Sequence, residues 1–136
     1  MAGGNLRVDE LAPAVLAYVG DAVFELFVRE RLVRGTPGAT VRALHRRTTA
    51  SVCAPAQARM ARIVAAGILT EEETGILRRG RNAHCGRVPP GAAAVDYRLA
   101  TGFESLIGYL YLSGRAERLA FLLEQALGPA AEEDGK

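Results

Sequence analysis

Leu11, Val15, Val19, Ala22, Leu26 and Val33 recur at intervals of three, four or seven residues. This spacing lines up one stripe of an α-helix and is not the every-second-residue pattern of a half-buried strand. No alternating pattern of convincing length occurs elsewhere, and helix start and stop signals run the length of the chain. Pro13 suits a first helical turn, and "RGTPG" (Arg34 to Gly38) ends that helix. A second helix is predicted from about Ala39 to Val52, and a third opens at Pro55 and stops near Gly67. Thr70 and Glu73 form a capping-box pair, with Glu71 and Glu72 suiting the same N-terminus; the helix that follows ends in the basic run "LRRGRNAH". "CGRVPPGA" (Cys85 to Ala92) reads as the longest loop. Helices at about Ala94 to Leu112 and Arg115 to Leu127 follow, separated by Ser113-Gly114. The expected fold is all-α, one domain of six or seven helices over residues 1–128, with residues 129–136 as an acidic, disordered tail.

With 136 residues, 49% of them apolar, the chain is long enough to bury a real core. No apolar run approaches a bilayer span, and the N-terminus has no signal-peptide character. Two cysteines, Cys53 and Cys85, make no disulfide framework, so a reduced, cytoplasmic protein is expected. Cys53, His84, Cys85 and His45 lack paired ligand spacing, and zinc is not expected. The net charge of +2 conceals an asymmetry: Arg29 to Arg98 holds 13 arginines against five acids, and the remainder four basic residues against ten acids. A basic middle rich in bidentate Arg forks suits a polyanion, although a merely solvated surface gives the same count.

Two acids interrupt otherwise apolar helices. Asp21 sits in "LAYVGDAVFEL" and Glu104 in "ATGFESLIGYLYLSG", where Phe103, Leu106, Ile107, Leu110 and Tyr111 read as core. An ionised acid in such a place needs a partner. Were the two helices to touch, the carboxylates would make a pair that resists joint ionisation unless a cation bridges it. All-oxygen ligands suit Mg²⁺ or Mn²⁺. Ala17 and Ala14, one and two turns before Asp21, leave room, and Glu25 either joins the metal shell or faces solvent. Taken singly, each acid has a structural reading: Asp21 as an N-cap after a break at Gly20, Glu104 as the ion-pair partner of Arg98 or Arg81. Together with the basic middle, they favour a metal-dependent phosphodiester site.

"LAYVGDAVFELFVRERL" resembles the signature helix of the ribonuclease III family, and "TGFESLIGYLYLSG" resembles that family's second signature. "RRGRNA" (Arg78 to Ala83), with nothing after the nuclease domain, resembles the Mini-III branch more narrowly. The resemblance runs from about Leu11 to Leu127 and implies a homodimeric all-α endonuclease that cleaves double-stranded RNA with Mg²⁺, Mn²⁺ being a possible substitute. It further implies a role at the ends of the 23S ribosomal RNA precursor, a 5′-phosphate product, and Asp21 and Glu104 as catalytic metal ligands. Three positions depart from the standard pattern of acids: Ala14, Ala17 and Thr101. Two of the usual four metal-site acids are therefore missing, and weak metal affinity without RNA is expected.

On this reading RNA contacts fall to Arg78, Arg79, Arg81 and Asn82, with Arg46 and Arg47 second, because duplex RNA is gripped through phosphates and 2′-hydroxyls. A plainer role for the Arg run is to complement a helix C-terminus. The apolar helix from Val15 to Phe27 supplies a candidate dimer face. Two rivals remain: a catalytically inactive RNA-binding or ribosome-associated module of the same fold, and a helical adaptor that binds neither metal nor RNA.

Overall fold

The computed structural model describes residues 6–83 and 88–129. A 3₁₀ turn at Val8–Glu10 precedes six α-helices: α1 Pro13–Gly35, α2 Val41–Val52, α3 Ala54–Ala65, α4 Glu71–Asn82, α5 Ala94–Leu112 and α6 Ala116–Leu127. No strand occurs among the described residues, in keeping with the all-α expectation. Residues 130–136 of the expected tail, His84, and Cys85 to Arg87 of the long loop lie outside them.

Local chemistry sets the helix ends. Pro13 opens α1, and the Thr40 hydroxyl caps α2 by accepting from Ala43 N at 3.1 Å. The capping box of α4 is complete: Glu73 N donates to Thr70 Oγ1 at 3.1 Å, and Thr70 N donates to Glu73 Oε1 at 2.9 Å. Glu73 is buried, and its charge is met by Arg118 of α6 at 2.7 Å, which ties α4 to α6. Between α5 and α6, Gly114 takes a φ of +76°, a left-handed conformation that glycine adopts without steric cost.

Helix α5 is the axis of the molecule, with α1, α3, α4 and α6 packed around it. Every residue from Ala100 to Leu110 except Glu104 is buried, as suits a helix apolar on nearly all sides. Phe24 of α1 meets Phe103 of α5 edge-on, ring centroids 5.5 Å apart. Tyr109 belongs to this core, its hydroxyl donating to the Glu72 carboxylate. Tyr111, expected in the core, is exposed because it lies on the opposite side of the last turn.

The buried face of α1 corrects the sequence reading. Leu16, Ala17, Gly20, Phe24 and Val28 face the core. Of the stripe Leu11, Val15, Val19, Ala22, Leu26 and Val33, four members are exposed and two half-buried. The helix carries apolar side chains on several sides, so periodicity alone identified it as a helix but not which side turns inward. Small residues decide that: only the Ala17–Gly20 side lets α5 approach this closely.

Candidate active site

Asp21 and Glu104 reach each other because α1 and α5 cross in backbone contact. A methyl group on Gly20 would lie 1.8 Å from the Glu104 carbonyl oxygen, and one on Gly108 would lie 2.0 Å from the Leu16 carbonyl oxygen. No side chain other than hydrogen fits at either place. The residue after Gly20 is Asp21, and the carbonyl that Gly20 touches belongs to Glu104 itself. The two carboxyl groups come within hydrogen-bonding reach of one another. Asp21 is exposed at the rim of the crossing, whereas Glu104 is partly buried.

Burial, then the negative charge of Asp21, pushes the Glu104 carboxyl up to about 8, and a hydrogen bond from Gln57 opposes the rise. The alternative roles of the acids do not survive. Helix α1 runs unbroken through Gly20 and Asp21, so Asp21 caps nothing. Among the described residues no ion pair links Glu104 to Arg81 or Arg98; Arg81 Nε donates to Asn82 Oδ1 at 3.1 Å instead. Glu25 pairs with Arg29 one turn along α1, its Oε2 accepting from Arg29 Nε at 3.0 Å.

The donor chemistry at the crossing is oxygen only. Among the described residues no group of three His, Cys, Asp or Glu gathers anywhere, so the pair stands without a third carboxylate. Ala17 contributes no donor, and the Thr101 hydroxyl is spent on Tyr97 O at 3.0 Å. The Oε1 atom of Gln57, whose amide lowers the Glu104 pKa, is a buried acceptor with no hydrogen-bond partner. Two carboxylates beside a spare amide oxygen fit a hard, largely hydrated divalent cation. His84 and Cys85 lie outside the described residues, and Cys53 is a free, exposed thiol.

The basic end of α4 meets α5 close by. A methyl group on Gly102 would fall 2.5 Å from Leu77 O and 3.1 Å from Arg81 N, and one on Gly80 would fall 2.5 Å from Ser105 Oγ. Gly102 and Ser105 flank Glu104, so the segment Arg78 to Asn82 is delivered to the stretch of α5 that carries it. Arg78, Arg79 and Asn82 are exposed, and Arg81 is half-buried. Among the described residues neither Arg78 nor Arg79 has an ion-pair partner. Arg46 and Arg47 lie on α2, whose main contacts are with α1 and α3, and the packing does not join them to the α4 run.

Gln57 escaped notice in the sequence. The available signal was its register: it shares a buried stripe of α3 with Met60, Ala61 and Val64, where an apolar residue is the rule.

The model of the ribonuclease III domain matches residues 14–115, which includes both acids and both glycines of the crossing. A Mini-ribonuclease 3 of Symbiobacterium thermophilum is 48% identical over 117 residues, covering 85% of this chain and 88% of the relative. That of Enterococcus faecalis is 43% identical over 129 residues, covering 93% and 96%. A crystal structure of a Fusobacterium nucleatum protein superposes with a TM-score of 0.78 at 25% identity, over 88% of this chain and 94% of that one. The family's nucleases work with a divalent metal, the chemistry that the Asp21–Glu104 pair accommodates. The chain belongs to the ribonuclease III family of endoribonucleases, within its Mini-ribonuclease 3 branch.

Proposed function

We infer that the protein cleaves double-stranded RNA with Mg²⁺ held by Asp21 and Glu104, and that its substrate is the 23S ribosomal RNA precursor. The observation that carries the reading is the crossing of α1 and α5, which forces two carboxylates together with no basic residue between them. A fold gains no stability from such a pair; a cation removes the repulsion. When bound, Mg²⁺ supplies a polarised scissile phosphate and a water of lowered pKa.

The chain's own residues do the rest. Asp21, exposed at the rim, is the side chain that an approaching phosphate meets first. Glu104, set deeper, offers its carboxylate from a rigid helix, so the pair is placed without rearrangement. Arg78, Arg79, Arg81 and Asn82 supply donors to the phosphates and 2′-hydroxyls of a duplex. With only Asp21 and Glu104 to hold it, the cation would need further oxygens from water or substrate phosphate, and metal binding should be tighter with RNA than without.

Two copies of the chain place one acid pair at each strand of a duplex. The exposed face of α1 suits that arrangement: Val15 is 46%, Tyr18 81%, Leu26 66% and Val33 57% exposed. Asp21 belongs to the same helix, so a symmetric contact across this face sets two sites side by side, each acid pair within one subunit.

The test is cleavage of a long duplex RNA with and without Mg²⁺, using the parent, Asp21→Asn and Glu104→Gln. The parent cuts only with the metal. Each variant keeps its shape and its RNA affinity but loses the ligand charge, and cleavage falls by about a thousandfold or more. Near-parental cutting by either variant removes that residue from the site. RNA binding by a parent that never cuts establishes the inactive-module reading.

A further inference from the structure

Gln57 is 1% exposed, at a core position in the first turns of α3. An apolar side chain of the same length would fill that space without desolvating an amide. The amide instead has a polar neighbour on two sides. Its Nε2 donates to Val52 O at 3.0 Å, at the carbonyl end of α2. The same side chain lies beside Glu104 and lowers the pKa of its carboxyl, the effect of an N–H turned toward the ionised carboxylate. One Nε2 hydrogen is used on α2, and the other is left to serve Glu104 on α5. Rotating the amide by 180° would set its oxygen against the Val52 carbonyl, so the orientation is determined by its neighbours. Oε1 is left buried and without a hydrogen-bond donor.

We propose that Gln57 is a positioning residue: anchored on the Val52 carbonyl, its amide holds the Glu104 carboxylate in place for the divalent cation shared with Asp21. This rests on the reading of the Asp21–Glu104 pair given above. The Val52 carbonyl sets the amide plane, and the amide sets the carboxylate, so α2, α3 and α5 act together on one oxygen ligand. The spare Oε1 is an acceptor of the kind that a cation-bound water donates to. An isolated carboxylate beside Asp21 would turn away from it; the Gln57 donor opposes that rotation and keeps the ligand in the geometry that the cation needs.

Two measurements test this. In the parent protein, the side-chain amide resonances of Gln57 are followed by NMR as Mg²⁺ is added; they shift along the same binding curve as the backbone amides of Asp21 and Glu104. Separately, Mn²⁺ binding is measured by electron paramagnetic resonance for the parent, Gln57→Leu and Gln57→Met. Both variants weaken Mn²⁺ binding by about tenfold or more and lower kcat on duplex RNA at unchanged KM, while the melting temperature stays level or rises. A purely structural Gln57 would lower stability and leave metal affinity alone. Affinity within about twofold of the parent in either folded variant overturns the proposal, as do Gln57 resonances unmoved by saturating Mg²⁺. A parent that binds no Mn²⁺ overturns the metal-site reading itself; a parent that binds beside variants that bind equally well overturns only the role of Gln57.

Discussion

Burial and the charge of Asp21 hold the Glu104 carboxyl at about 8, far above the ordinary 4.5. The folded protein therefore retains a proton on Glu104 that the unfolded chain releases. The sign follows directly: stability from this group is complete below about 4.5 and is lost progressively as pH rises toward 8. Glu104→Gln removes the repulsion, so thermal melts at pH 8 should show the variant more stable than the parent, by about 3 °C for each kcal/mol relieved, with the gap closing near pH 4. An unchanged gap across that range would show that Glu104 ionises without penalty. The same group should make metal binding at the proposed site pH-dependent. At the proposed site Mg²⁺ would displace the Glu104 proton, so affinity should rise with pH up to about 8 and then level; calorimetric titrations at pH 6, 7 and 8.5 check this.

At the scale of helices, glycines determine where the acids end up. Gly20→Ala would drive a methyl group into the Glu104 backbone, 1.8 Å from its carbonyl oxygen. Backbone cannot rotate aside, so α1 and α5 must separate. A loss of about 3 kcal/mol or more is expected in denaturant unfolding, and cleavage should vanish even where the variant still folds. Gly75, in the middle of α4, is the control: nothing lies within 4 Å of a methyl group there, so Gly75→Ala should stabilise by about 0.5–1 kcal/mol with activity intact. Helix α4 carries a second test at its basic end. Replacing Arg78, Arg79 and Arg81 together by Ala should weaken duplex RNA binding and reduce the slope of log affinity against log salt by up to about 3. An unchanged slope places the RNA surface elsewhere. Loss of the arginines' complement to the α4 C-terminus costs only tenths of a kcal/mol, so a stability change alone does not mimic this result.

For the whole molecule, the outward face of α1 governs assembly in the arrangement proposed above. Four large apolar side chains are exposed on one helix face, Tyr18 at 81%, the kind of surface that marks an interaction site. On the arrangement proposed above a second copy covers them, and light scattering should return twice the chain mass of 14.5 kDa. Leu26→Asp sets a charge into that face and should raise the dimer dissociation constant by about tenfold or more, with the helical signal unchanged. A parent protein that stays monomeric at micromolar concentration and still makes paired cuts on both strands would exclude the arrangement.

Helix number, type and approximate ends were legible along the chain, because caps, prolines and glycines act within a few residues of themselves. Thr70 with Glu73 and the Ser113-Gly114 break are such local signals. Asp21 and Glu104 were legible as acids out of place in apolar helices, and the motifs around them as a family resemblance. What faces what was not. The apolar stripe of α1 marked a helix yet lies largely outside, because burial depends on which side a second helix can approach. That approach is decided at Gly20 and Gly108 by contacts between residues more than eighty positions apart in sequence. The same holds for Gln57: its polarity is plain in the sequence, but its place between the Val52 carbonyl and Glu104 exists only once α2, α3 and α5 have met. Local interactions are encoded locally; the site is made of contacts that only tertiary packing brings into range.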